Sequence, residues 1–197
     1  MFELMETEDT GAVIKVIGVG GGGGNTVQQM VDADIEGVDF ICANTDMQAL
    51  EKTNCKHVVR IGQNVTKGLG AGANPEVGRQ AALEDTEHLK ECLANTDMVF
   101  ITAGMGGGTG TGAAPVIARI AQELGVLTVA VVTNPFQFEG QRRMRIAETG
   151  IEQLRKYVDT MIVIPNQNLF RLANEQTTFA DSFCLADSVL NSGVACV

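Results

Sequence analysis

The sequence predicts an α/β domain: a Rossmann-like, three-layer arrangement around a mostly parallel sheet. Short β-branched runs alternate with stretches of helical periodicity along the chain, the pattern of repeated βαβ units. Glycine-rich segments follow directly on predicted strands, where open parallel sheets place their ligands. The length, 197 residues with 45% hydrophobic, suits one domain with a sizeable core.

The elements follow in order. Residues 1–11 read as a tail, beginning with the acidic "MFELMETEDT". "AVIKVIGV" (Ala12 to Val19) is a first strand, followed by a glycine loop and a helix starting near Asn25, a good N-cap. "VDFICANT" is a second strand and "HVVRIG" a weaker third. "NPEVGRQAALEDTEHLKECL" reads as one helix, with Pro75 in its first turn and Glu76 near the positive end of its dipole. "DMVFITAG" is a strand that runs into "GMGGGTGTG" and then a helix "APVIARIAQEL", with Pro115 in the first turn and Gly125 ending it. "VLTVAVVT" is the next strand, Glu139 to Tyr157 a charged helix, and "TMIVIPN" the last strand. In the tail, Phe179, Phe183, Ala186 and Leu190 recur at helical spacing. That helix reaches Val197 without a cap, so the expectation is the front part of a longer protein.

Composition excludes several functions. The formal net charge is −10 and no basic block exists, which argues against nucleic acid and anionic membrane surfaces as partners. No apolar run is long enough to cross a bilayer, so direct membrane insertion is not expected. The start lacks the features of a signal or transit peptide. Five cysteines without CxxC spacing point to a reducing interior rather than a zinc or disulfide framework. His57 and His88 have no clear partner and read as solvated.

Two loops carry the chemistry. "GVGGGGGN" (Gly18 to Asn25) holds a formal GxGxxG at Gly18, Gly20 and Gly23, weak alone because a glycine run matches almost any glycine motif. "GMGGGTGTG" spaces Gly107 and Gly112 like a P-loop, but Ala113 and Ala114 stand where Lys and Ser or Thr belong. Glycines there can turn N–H groups inward, Thr109 and Thr111 add hydroxyls, and a helix N-terminus adds partial positive charge. Two such loops at one sheet edge suggest a polyphosphate gripped from both sides. "GLGAGANP" (Gly68 to Pro75) is a third candidate, competing with a plain Gly/Ala turn.

These residues, together with "VIGVGGGGGNTV", "CANTDMQAL", "TKGLGAGANPEVGR", "VTNPFQFEGQRRM" and "IPNQNLF" in that order, resemble the tubulin/FtsZ family of cell-division GTPases over essentially the whole chain. The resemblance implies a GTP-binding domain over residues 12–178 and the beginning of a central helix over 179–197. It implies GTP or GDP as ligand with Mg²⁺. Gly21, Gly22 and Asn25 then lie along the α- and β-phosphates, and Gly107, Gly108, Thr109 and Gly110 cradle the chain from the other side. Ala71, Gly72 and Ala73 belong to the loop that senses the γ-phosphate. Asn44 lies near the phosphates and Asp46 near Mg²⁺, with a helix N-cap as the competing reading of Asp46. Gly104 and Thr133 belong to the same nucleotide-binding set. Glu139 and Arg143 match ribose contacts, against an ordinary ion pair. Asn166, Phe183 and Asp187 match guanine contacts, Phe183 covering the base and Asp187 accepting from N1–H and the 2-amino group. Without the family, Phe183 reads as core and Asp187 as solvated.

No catalytic residue is assigned within this chain. In the family, an acidic "NxDFAD"-type loop beyond the central helix completes the site of the neighbouring subunit in a head-to-tail filament, and a C-terminal tail docks division-protein tethers. The implied setting is the cytoplasm at the division site, with an organellar matrix or stroma as the alternative source. The competing function is an NAD(P)-dependent oxidoreductase, whose ribose acid would be Asp39.

Overall fold

The computed structural model describes residues 11–171 together with Asp187 and Ser188. Six strands form one sheet: β1 (Ile14–Val19), β2 (Val38–Asn44), β3 (His57–Arg60), β4 (Met98–Gly104), β5 (Leu127–Asn134) and β6 (Thr160–Pro165). Every pairing is parallel, in the order β3-β2-β1-β4-β5-β6. The central strands are near-continuous apolar runs because both sheet faces are covered.

Alternate residues feed two cores. Ile17, Val19, Ile101, Ala103, Ala130 and Val132 face α4 (Pro75–Glu84), α5 (Thr86–Leu93), α6 (Thr109–Glu123) and α7 (Gln141–Leu154). Val16, Cys42, Phe100 and Val131 face α1 (Gly20–Asp32) through Val27 and Met30. The result is the three-layer, doubly wound fold read from the sequence. The shorter α2 (Met47–Glu51) and α3 (Gln63–Thr66) follow β2 and β3. The strand order reverses between β1 and β4, whose ends lie side by side with Val19 opposite Ala103. From there α1 leaves over one face and α6 over the other, opening a crevice at the switch point.

Four helix boundaries differ from the sequence reading. The first helix starts at Gly20, not near Asn25, so the glycine run is its first turn rather than a loop. Gly20 sits at φ 72°, and a Cβ there would also come within 2.9 Å of the Gly110 nitrogen. The second helix is split at Asp85, whose carboxylate turns away to accept from the Gly62 N–H at 2.6 Å. The helix of the second glycine motif begins at Thr109, inside the motif, which leaves Pro115 in the helix interior. The Glu139–Tyr157 helix is interrupted at Gly140 (φ 98°), so Glu139 closes a short 3-10 turn (Gln137–Glu139) ahead of α7. Gly125 does end α6, at φ 72°. The helix expected over 179–197 lies outside the described residues apart from Asp187 and Ser188, which are helical.

Helix α6 is apolar nearly all round because the sheet, α4 and α7 enclose it. Its seam with α4 has almost no side chains. A Cβ on Gly112 would collide with the Pro75 carbonyl, and one on Gly78 with the Gly108 carbonyl.

Candidate functional site

A cleft of about 600 Å³ opens at the switch point. Its first wall is the start of α1. The opening N–H groups of a helix have no partner within it, and Gly21 and Gly22 carry two of them into the cleft without any side chain. The second wall is the turn from β4 into α6, Gly104 to Gly110, so a second helix N-terminus faces the same space. The two walls touch: a Cβ on Gly22 would lie 3.2 Å from the Gly104 nitrogen.

The threonines of the second motif divide their tasks. The Thr109 hydroxyl sits at the cleft, 2.6 Å from the Thr45 hydroxyl. Thr111, read from the sequence as a second donor to the ligand, is buried instead and accepts from the Gly106 N–H at 2.9 Å. It shapes the glycine turn from behind, because helix geometry turns the residue after next away from the cleft.

The β2–α2 connection supplies the third side. Asn44 is buried, and its Oδ1 accepts from the N–H groups of Thr45 and Asp46 at 2.8 and 3.2 Å. Asp46 caps α2, its Oδ1 accepting from Gln48 and Ala49. The loop before α4 is tied to this side, with the Gly70 N–H donating to the Thr45 carbonyl at 3.2 Å. From it Ala71 and Gly72 reach the cleft, whereas Ala73 does not: it is exposed and absent from the lining, because Asn74 already turns the chain into the α4 cap.

At the far end stand Thr133, Glu139, Arg143, Asn166 and Asp187. Arg143 Nη1 donates to Glu139 Oε1 at 2.7 Å, and Glu139 Oε2 accepts from the Phe136 N–H at 2.8 Å. Asn166 directly follows β6, is 5% exposed, and its Oδ1 has no hydrogen-bond partner among the described residues. A buried carbonyl oxygen left unpaired in a cleft is a place made for a donor from outside the chain. Asn25 Nδ2 donates to Asp187 Oδ2 at 3.2 Å. Burial raises the Asp187 carboxyl to about 6, and the Asn25 amide pulls the other way. Phe183 lies outside the described residues.

Among the described residues that line the cleft, only Arg143 is a cation, and Glu139 already engages it. An anion here must be held by backbone N–H groups and helix dipoles. The described residues contain no group of three or more His, Cys, Asp or Glu able to hold a metal. Sequence reasoning missed Val19, Ala49, Leu69, Gly70, Met105 and Pro135 in the lining. All are contributed through positions between motif residues, and no periodicity marks them. Asp39 pairs in register with Lys15 near the start of β2, the end of the sheet opposite the cleft, and cannot serve as a ribose acid.

The tubulin/FtsZ family, GTPase domain, matches residues 13–174. The chain belongs to this family. Membership replaces the oxidoreductase alternative and accounts for both glycine walls. The cell division protein FtsZ of Bartonella bacilliformis is 65% identical over 93% of this chain and 31% of that protein. FtsZ of Azotobacter vinelandii is 59% identical over 98% of this chain and 49% of that protein. The chain thus spans half or less of the length of these relatives. Among solved structures, an empty FtsZ dimer from M. jannaschii superposes with a TM-score of 0.92 at 46% identity, covering 95% of this chain and 54% of that one. A GDP-bound CetZ1 monomer from Haloferax volcanii reaches 0.83 at 25% identity, covering 93% and 59%.

Proposed function

We propose that this chain binds GTP and GDP as the nucleotide-binding part of a filament-forming cell-division GTPase. The observation that carries the reading is the unpaired, buried Asn166 Oδ1, which lines one cleft together with Asp187 and with Gly21, Gly22 and Gly107 to Gly110. Phosphates sit against the two helix N-termini. The ribose meets Glu139 and Arg143. Asp187 accepts from guanine N1–H and the 2-amino group, donors that adenine lacks as a pair. Mg²⁺ fits as a phosphate-held ion with water ligands, Asp46 offering the carboxylate oxygen that its cap leaves unused. Calorimetric titration tests the reading: GTP and GDP bind and compete, ATP and NAD do not. Binding of ATP as tight as GTP overturns it.

Asp187 makes recognition pH-dependent. Its folded pKa, about 6, lies above the ordinary 3.8, so its contribution to folding is fullest below 3.8 and lost as pH rises through 6. Guanine recognition runs the opposite way, because only the carboxylate accepts two donors. The rise in Tm produced by GDP is therefore expected to shrink as pH falls from about 7 to about 5. A GDP effect that is flat across this range, measured by differential scanning fluorimetry, contradicts the assignment.

Hydrolysis is assigned to assembly. Asp46 caps a helix, Glu139 pairs with Arg143 and Asp187 is assigned to the base, so none of the carboxylates among the described residues of the cleft stands ready to activate water at the γ-phosphate. The 197-residue chain alone is expected to release little phosphate. In the full-length protein the acidic loop of a neighbouring subunit in a head-to-tail filament supplies the missing group, at the division site. Robust, protein-concentration-dependent phosphate release by the 197-residue chain refutes this assignment. No helix among the described residues is long and apolar enough to cross a membrane, and contact with the membrane is assigned to tethers bound by a C-terminal tail.

A further inference from the structure

A second cavity, of about 460 Å³, lies between α4, α6 and α7, on the flank of the domain away from the guanine end of the cleft. Its floor is apolar, built from Leu83, Pro115, Val116, Ile146 and Tyr157. Its rim has a basic excess: Arg79, Arg119 and Arg145 stand there with one carboxylate, Glu76, on a chain whose net charge is −10.

Of these, Arg79 is bonded to Glu76 at 2.7 Å. Arg119 is less well served: its Nε is enclosed without a hydrogen-bond partner, and Glu123 stands 3.7 Å away. Arg145 is exposed and has no carboxylate partner among the described residues. The groove thus sets the exposed Arg145 guanidinium, with Arg79 and Arg119 beside it, above an apolar floor, the complement of a segment that alternates carboxylates with apolar side chains.

We infer that this groove docks the chain's own N-terminal segment, residues 1–10. That segment, "MFELMETEDT", carries Glu3, Glu6, Glu8 and Asp9 among Met1, Phe2, Leu4 and Met5. The described chain begins at the same end of the sheet as Tyr157 of the groove, three strands away. The Val13 N–H donates to Asp97 Oδ2, the Leu127 N–H to the Asp97 carbonyl, and the Asp159 N–H to the Thr128 carbonyl. These bonds line up the starting ends of β1, β4, β5 and β6, and Tyr157 sits just ahead of β6. Three strand spacings separate Val13 from that point, roughly 15 Å. Ten residues reach roughly 33 Å when extended, so the segment spans the gap with length to spare.

The test compares amide correlation spectra of the full chain and a chain lacking residues 1–10. Removal is expected to shift the amides of Leu83, Arg119, Gly150, Gln153 and Tyr157, at any protein concentration. Synthetic MFELMETEDT added to the shortened chain restores the shifts. Arg119→Glu with Arg145→Glu weakens the peptide about tenfold or more, as two opposed contacts become repulsive, and a peptide carrying Glu3→Lys and Glu6→Lys regains it. GTP still binds each of these chains, which separates this docking from the nucleotide reading. Groove amides indifferent to the deletion overturn the inference. So does a peptide that binds the charge-reversed chain equally well, or a shift that appears only as the chain is concentrated, which assigns the groove to a second copy.

Discussion

Asp187→Ala is expected to weaken GTP and GDP binding about a hundredfold, the effect of removing one partner from a buried charged hydrogen-bonded pair. The loss falls on the base rather than the phosphates, since the helix N-termini that hold the phosphates are untouched. Selectivity gives the sharper readout. In the unmodified chain, inosine triphosphate, which lacks the 2-amino group, should bind less tightly than GTP because one of the two donors to Asp187 is gone. In the variant the two nucleotides should become indistinguishable, and discrimination against ATP should collapse as well. The variant should also lose the pH dependence of the GDP effect, because the carboxyl that titrates near 6 is the one removed. Stability near pH 7 should not fall, since burial already opposes the ionised carboxylate and, among the described residues, its hydrogen bond comes from the exposed Asn25 amide. A variant that still prefers GTP over inosine triphosphate and ATP would move guanine recognition elsewhere in the cleft.

The largest effect on stability is expected from Gly112→Ala. The added methyl lands on the Pro75 carbonyl and 2.7 Å from the Arg79 nitrogen, both backbone atoms that no rotamer change can move. Helices α4 and α6 must separate, and overpacking of this kind costs about 3 kcal/mol. For a chain of this size that lowers Tm by roughly 6–12 °C. Gly24→Ala is the control: nothing lies within 4 Å of the added carbon, and it sits in the interior of α1. There the higher helix propensity of alanine should stabilise by up to about 1 kcal/mol. Equal melting temperatures for the two variants would show that the seam is looser than the geometry implies.

How much of this could be read from the sequence differs between strands and helix starts. The strands were legible because parallel strands covered on both faces are continuous β-branched runs, and "VIKVIGV" or "MVFITAG" has few other uses. The start of α1 was not. A run of glycines has nearly the poorest helix propensity available, and only tertiary contact, with Gly20 buried against the start of α6 and Gly23 against Gly18 of β1 and the Thr102 carbonyl of β4, holds it helical. The breaks at Asp85 and Gly140 are likewise set from outside: one by the Gly62 N–H, the other by a positive φ. Within the site, the residues given by resemblance converge in one cleft except Ala73, and except Phe183, which lies outside the described residues. Spacing alone left Asp46 and the Glu139–Arg143 pair open. The structure shows the cap and the ion pair, and neither excludes a role toward a ligand. Thr111 looked equivalent to Thr109 in a string of letters, whereas helical rotation separates them.

The seam at Gly78 and Gly112 has a mechanical consequence. The loop of Ala71 and Gly72 feeds directly into α4, the turn of Gly107 and Gly108 feeds into α6, and the two helices meet backbone to backbone. No flexible side chain lies between them to absorb a displacement. A push on the loop where a terminal phosphate would rest is passed on as a shift of the α4–α6 pair, like a lever without a cushion at its pivot. The other arm of that lever carries Arg79 and Arg119, the rim of the basic groove. Occupancy at one end of the domain can thus be felt at a surface that never meets the nucleotide.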